Sequence, residues 1–217
     1  MRPRVIFCCI SSREEAALAV KYGANALGLV SAMPSGPGVI SDELARDIAA
    51  IAPPGVASFL LTSRQSAAGI IEQQRDIRAN TLQIVDTLTH GTYAEIRAAL
   101  PGIALVQVIH VQGDSALDEA LKVAPDVDAI LLDSGNQKLP VKELGGTGRT
   151  HDWTISRRIV KQVGKPVFLA GGLNPHNVRD AIEQTQPFGL DICSGVRANG
   201  KLDERKLAAF FEQVAAC

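Results

Sequence analysis

Three glycine-bearing segments carry the plainest chemical signal in the chain: Gly145-Gly146-Thr147-Gly148, Ala170-Gly171-Gly172-Leu173-Asn174 and Asp191-Ile192-Cys193-Ser194-Gly195-Val196. Glycine lets backbone N–H groups approach an oxyanion closely, and a helix N-terminus behind them adds a favourable dipole. One such segment alone would mean a tight turn. Three of them, each following a short Val/Ile/Leu-rich run, are expected to converge on one rim and bind a phosphate group there. The other reactive side chains are sparser. Cys8, Cys9, Cys193 and Cys217 match no metal-site spacing and read as free thiols of a reducing compartment. His90, His110, His151 and His176 show no metal spacing either, and only His110 falls where a strand end would bring it near the rim. Neither a metal nor a cofactor is expected.

These segments need elements to position them. Short apolar runs alternate with longer amphipathic stretches along the whole chain. The expected strands are Val5–Cys9, Ala26–Val30, Val56–Leu61, Thr81–Val85, Ala104–Ile109, Ala129–Asp133, Val167–Leu169 and Gly189–Ile192. Helical patterns fall between them, at Glu14–Tyr22, Asp42–Ala50, Tyr93–Leu100, Ser115–Ala124, Thr154–Val163 and Asn177–Gln184, and Asp203–Ala215 closes the chain. Ser41 before Asp42-Glu43 and Asp203 before Glu204 are helix-start signals, and Gly23 sits where the first helix should stop. Asn174 is expected to cap the helix begun after Pro175. Strands separated by helices, with no hairpin signal between them, imply an all-parallel sheet. An open doubly wound sheet is the competitor, but no GxGxxG follows the first strand and eight units close a barrel naturally. The expected fold is therefore an α/β single (β/α)8 TIM barrel, one domain over residues 1–217, with its ligand at the C-terminal ends of the strands.

Composition agrees. A chain of 217 residues that is 46% apolar, 21% charged and 4% aromatic can bury a large core lined mainly by aliphatic side chains. With 22 basic and 23 acidic residues the net charge is −1 and no basic stripe appears, so neither nucleic acid nor an anionic membrane is an expected partner. The opening MRPRVIFCCISSREE is too short in its apolar run for a signal peptide, and no later run approaches a membrane span. A cytoplasmic protein with a phosphorylated small-molecule substrate is expected.

The strings DSGNQKLPVKELGGTGRTHDW, FLAGGLNPHNV and LDICSGV resemble the C-terminal half of the phosphoribosylanthranilate isomerase family. That family carries an LLDS strand end, a GGTG loop with a following DW, an AGGLNP motif and a D-x-SSGV motif. Its opening KICG aligns with Ile6-Phe7-Cys8-Cys9, so the likeness spans the chain, more loosely in its N-terminal half. The resemblance implies a cofactor-free Amadori isomerase of tryptophan biosynthesis, converting a phosphorylated aminoaldose into an aminoketose. It further implies that Cys8 is the base that takes the C2′ proton and Asp133 the acid that protonates the ring oxygen. Asp191 would contact the substrate's amino end, and Gly146, Gly148, Gly171, Gly172, Ser194 and Gly195 would surround the phosphate.

The chemistry is sound for these residue types. A thiol ionises near 8.5, so a base needs its thiolate stabilised, whereas an acid must hold its proton near neutrality through apolar surroundings or a nearby anion. Strand alternation would put Cys8 and Cys9 on opposite faces, so only one can point into the mouth, and the resemblance implies that it is Cys8. Several positions depart from the family. Its opening lysine is Ile6 and its next glycine is Cys9. The arginine of its SPRxV loop, implied to grip the anthranilate carboxylate, is Gly38. Its QLHG reads Gln83-Ile84-Val85-Asp86, the first serine of SSGV is Cys193, and the glutamate after it is Arg197. The phosphate half is thus kept while the other half has changed. Two further readings stay open: a paralogue acting on another phosphorylated sugar or amine, and a non-catalytic metabolite-binding barrel. Arg64, in a loop, is one candidate replacement for the missing arginine, and Lys138 and Arg149 could close over an anion.

Overall fold

Period-two alternation between two apolar faces organises the molecule, which is described over residues 2–217 of a computed structural model. Eight parallel strands form a closed barrel in sequence order: β1 (Arg4–Phe7), β2 (Ala26–Val30), β3 (Ala57–Thr62), β4 (Thr81–Ile84), β5 (Ala104–His110), β6 (Ala129–Asp133), β7 (Val167–Leu169) and β8 (Gly189–Ile192), with β8 pairing back onto β1. The helices that follow them are α1 (Arg13–Lys21), α2 (Asp42–Ile51), α3 (Ala67–Ile77), α4 (Tyr93–Ala99), α5 (Ser115–Val123), α6 (Trp153–Gln162), α7 (Val178–Thr185) and α8 (Glu204–Ala215).

Outward strand residues such as Phe7, Leu29, Leu60, Leu82 and Leu190 pack beneath the helices with Ile48, Ile70 and Phe210. Inward residues form a second, separate core of Ile6, Ala26, Phe59, Val106, Leu131 and Phe168. Phe59 and Phe168 meet edge to face at 6.0 Å, and Gly189 is bare because a Cβ there would strike the Phe168 ring. This plug closes the N-terminal end of the barrel and leaves the C-terminal end to polar inward residues: Gln83, Asp133 and Asp191.

Caps set the helix boundaries. Side chains of Ser12, Ser41, Ser66, Thr92 and Asp203 accept first-turn N–H groups, and Thr92 with Glu95 completes a capping box. The helix over Ala67–Ile77 escaped the sequence pattern, since Gly69 and the Gln73-Gln74 pair weaken it. The Ser66 cap was its legible signal. Two other expectations are corrected. Asn174 does not cap α7: Asn177 holds the N-cap position, while the Asn174 side chain accepts from His176 N at 2.9 Å and donates to the Gly172 carbonyl at 3.1 Å. A small antiparallel hairpin does exist outside the barrel. It joins β9 (Arg197–Ala198) to β10 (Lys201–Leu202) through Asn199-Gly200, both at positive φ, a turn pair that favours hairpins.

Candidate active site

A narrow cavity, open at its mouth, occupies the C-terminal end of the barrel. Cys8, Asp133, Gly146, Gly148, Gly171, Gly172, Asp191 and Ser194 all line it. Gly195 does not. It lies behind the rim, where a Cβ would run into the Leu173 carbonyl, so it lets the loops after β7 and β8 touch. The three glycine loops press on one another in the same way. Gly148 borders Ser194, and a Cβ on Gly172 would fall 2.7 Å from the Arg149 carbonyl carbon and 2.9 Å from the Gly148 oxygen. Gly146, Gly148, Gly171 and Gly172 also sit at positive φ, between 63° and 86°, where L side chains are strained. The sequence expectation that these loops form one rim is met in this geometry.

Asp133 ends β6 and faces inward. Its Oδ1 accepts from Ser134 N at 2.6 Å, and the missing Cβ of Gly145 leaves room beside Oδ2. Burial pushes its carboxyl up from the ordinary carboxylate range, against the opposing pull of the Ser134 N–H and His110. Asp191 is pushed well up, by burial first and by Asp133 and Cys193 next, and its Oδ1 has no partner. His110 does not line the cavity. Its Nε2 is held 3.0 Å from the Val85 carbonyl, beside Asp133's strand.

The cysteines depart from expectation. Strand β1 stops at Phe7, although Cys8 N still donates to the Ile192 carbonyl at 2.8 Å. Cys9 then turns to φ 62°, which breaks the alternation and brings both thiols to the cavity with their sulfurs 3.6 Å apart. Gly28 makes this possible, because a Cβ there would fall 2.9 Å from the Cys8 Cα. Cys193, two residues beyond Asp191, completes a trio. Thiol donation from Cys8 and Cys9, with Arg197 nearby, pulls Cys193 down, and the same interactions with burial push Cys8 and Cys9 up.

Arg197 braces this corner. It pairs with Glu15 at 2.8 Å and donates to the Cys9 carbonyl at 2.5 Å, and Glu15 also accepts from Ser11 N at 3.0 Å and Leu202 N at 3.1 Å. These bonds hold Glu15 below the ordinary carboxylate range despite its burial. Sequence reading marked Cys193 and Arg197 only as departures; period-two spacing from Asp191 was the signal that could have placed Cys193 at the site.

The other cations considered from the sequence lie elsewhere. Arg64 pairs with Glu72 at 3.1 Å and Arg149 pairs with Glu143, and neither lines the cavity, nor does Lys138. Lys142 is spent on the buried Asp86 at 2.6 Å, which pins the long loop after β6 across the barrel mouth together with the Ser35 hydroxyl on the Lys142 carbonyl.

A family model described as N-(5'phosphoribosyl)anthranilate (PRA) isomerase matches residues 6–213. An N-(5'-phosphoribosyl)anthranilate isomerase of Methanocella arvoryzae is 35% identical over 97% of this chain and 97% of its own. One of Halobacterium salinarum is 35% identical over 98% and 96%. Among solved structures, the Thermotoga maritima phosphoribosyl anthranilate isomerase superposes with a TM-score of 0.82 at 29% identity, over 99% of this chain and 100% of that one. Another such isomerase, solved with reduced 1-(o-carboxyphenylamino)-1-deoxyribulose 5-phosphate, superposes with a TM-score of 0.79 at 27% identity over 99% and 100%.

Proposed function

Because this chain belongs to the N-(5'-phosphoribosyl)anthranilate isomerase family, we propose that it is an aldose–ketose isomerase acting on a phosphorylated ribosylamine, the reaction class for which the family is named. The observation that carries this reading is the placement of Cys8 and Asp133 on one cavity whose rim is three mutually packed glycine loops. The whole chain acts as one barrel domain in this reading, in keeping with a closed sheet that runs from β1 to β8. Its ligand is a phosphorylated small molecule, as in the relative solved with such a compound. Its compartment is the reducing cytoplasm, to which four free cysteines are suited. No helix among the described residues is long and apolar enough to cross a membrane.

The phosphate sits on the rim, met by backbone N–H groups around Gly146, Gly148, Gly171, Gly172 and Ser194, with Gly195 behind them. Asp133, whose carboxyl burial pushes up toward the protonated form, gives its proton to the furanose ring oxygen; the C1–O bond breaks and the nitrogen lone pair forms the iminium. A thiolate then takes the proton from C2′, and the electrons move through C1 to the nitrogen, giving an enol; C1 then gains a proton as the C2′ hydroxyl gives one up, which yields the ketose and returns the thiol and Asp133 to their starting forms. Cys8 is that base. Cys193 and Cys9 share the cavity with Cys8, so the negative charge that the step needs can be shared among the three sulfurs. Asp191, with its orphaned Oδ1, accepts from the substrate's amine N–H. No atom is gained or lost, so the reaction needs no oxidant or cofactor. Chromatographic detection of ketose formed from N-(5-phosphoribosyl)anthranilate or a related ribosylamine phosphate, slowed about a hundredfold or more in Cys8→Ala and in Asp133→Asn, is the expected result. Turnover of either variant within about tenfold of the unmodified protein would overturn the assignment.

A further inference from the structure

We propose that the thiol cluster at the cavity is a redox switch: a small-molecule disulfide oxidises Cys8 and Cys193 to a cross-strand disulfide, which takes the base out of action until a small thiol reduces it. The loss of activity rests on the isomerase reading, in which Cys8 is the base. The disulfide itself rests on the strand register.

β1 and β8 pair in parallel, with Ile6 opposite Asp191 and Phe7 opposite Ile192. Extended by one residue, that register sets Cys8 opposite Cys193, and the Cys8 N–H on the Ile192 carbonyl at 2.8 Å carries the ladder to that point. Both residues line the cavity. Neighbouring strands lie about 4.8 Å apart, within the roughly 4.4–6.8 Å between Cα atoms that a disulfide bridges. Both cysteines also follow the last residue of their strands, where the chain can adjust to bring two sulfurs into bonding distance. Cys8 and Cys9 fit less well. Their sulfurs lie 3.6 Å apart, but Cα atoms joined by one trans peptide are only about 3.8 Å apart, below that range. Cys9 is one residue out of register with Cys193.

Access favours Cys193 as the first thiol to react. It is half-buried, whereas Cys8 and Cys9 are only 8% and 4% exposed. Arg197 lies beside it, and a neighbouring cation favours the thiolate, the form that attacks a disulfide. The Cys193 thiolate attacks one sulfur of the small disulfide and expels the first small thiolate, leaving a mixed disulfide. Cys8, having lost its proton, then attacks the Cys193 sulfur and expels the second. Two protein thiols are oxidised, one small disulfide is reduced to two thiols, and the two protons go to those leaving groups. With its sulfur in that bond, Cys8 cannot take a proton from C2′.

The test is incubation of the full chain with glutathione disulfide, alkylation of the remaining thiols, proteolysis and fragment mass spectrometry, with turnover of N-(5-phosphoribosyl)anthranilate followed in parallel. A Cys8–Cys193 linked peptide is expected, with Cys9 and Cys217 alkylated, activity lowered about a hundredfold or more, and both changes reversed by dithiothreitol. Cys217→Ala should respond as the unmodified protein does, while Cys193→Ser should be inactivated at least about tenfold more slowly. No link between Cys8 and Cys193, a link through Cys9 instead, or inactivation of Cys193→Ser as fast as that of the unmodified protein would overturn the proposal. A linked protein that stays active would overturn the switch and the role of Cys8 with it. Formation of the link in a protein that turns nothing over even when reduced would sink the isomerase reading alone, whereas full turnover by a reduced protein that forms no such link would sink only the present inference.

Discussion

Beyond β6, β7 and β8 the rim of the cavity is shaped by glycine loops; along β1 to β5 its wall is made of side chains. The first depends on what glycines lack. Gly148, Gly172 and Gly195 matter because three loops touch where a Cβ would block them, and any backbone N–H can then serve a phosphate. The second depends on which side chains meet. Cys9 matters because Gly38 lies against it, and the supports behind this wall reach it from distant segments, Arg197 onto Glu15 and Lys142 onto the buried Asp86. A surface made of backbone tolerates changes around it so long as its glycines stay, while a surface made of side chains can be respecified by one paired change. The glycine loops can thus stay as they are while the opposite wall departs from the family pattern.

The largest expected effect falls between the two ends, where the chemistry sits. Cys8→Ala and Asp133→Asn should each lower kcat by about a hundredfold or more with little change in KM, as removal of a general base or acid does. Cys9→Ala should cost less than tenfold (about 1 kcal/mol), because its sulfur neighbours the base without being it. Steady-state kinetics on all three variants would reassign the base if Cys9→Ala proved the most damaging.

The side-chain end should also fail in stability. Glu15 and Arg197 form a pair whose side chains are only 11% and 9% exposed, between the exposed and fully buried cases, so Glu15→Gln should destabilise by about 2 kcal/mol in urea unfolding. Glu15 has its folded pKa lowered. Its contribution is therefore fully present above the unfolded value of about 4.3 and is lost as pH falls through the lower folded value. The difference between wild type and Glu15→Gln should shrink on acidification over that window. A constant difference would show that the pair's charge contributes nothing.

At the backbone end the expected fault is in binding. Gly195→Ala forces the loops after β7 and β8 apart, so KM should rise by about tenfold (about 1.4 kcal/mol) while kcat changes less. The same variant should lose inorganic phosphate as a competitive inhibitor. An unchanged inhibition constant would show that the rim is not the phosphate seat.

The smallest effect is a displaced pH profile. Cys193→Ser removes one of three clustered thiols, so the ionisation that the cluster shares falls to Cys8 and Cys9, both buried. The acid limb of kcat/KM should move to higher pH, with a modest loss at its plateau. An unmoved limb would mean that Cys193 takes no part in holding the thiolate.

Much of this molecule follows from local sequence. β2, β6, β7 and β8 have the expected boundaries, because a buried strand in a closed barrel needs only a short apolar run between turn residues, and those runs are continuous here. The glycine rim was legible for the same local reason: a missing Cβ is visible in the sequence, and three such segments at consecutive strand ends can meet at only one place in a barrel. Asp133 was placed by its position as the last residue of its strand.

What tertiary structure decided is everything that depends on a partner far along the chain. Alternation assigned Cys9 to the outside, but the strand ends before it, and a left-handed turn next to Gly38 brings its thiol inward. Arg197 looked like a lost glutamate; in the fold it meets Glu15, 182 residues earlier, and braces the thiol corner. Arg64 looked available as a substitute cation, yet it is engaged by Glu72 outside the cavity. Backbone preferences act over a few residues and can be read one segment at a time. Charge compensation and steric complementarity act across the barrel, and they acquire meaning only when folding sets the two partners side by side.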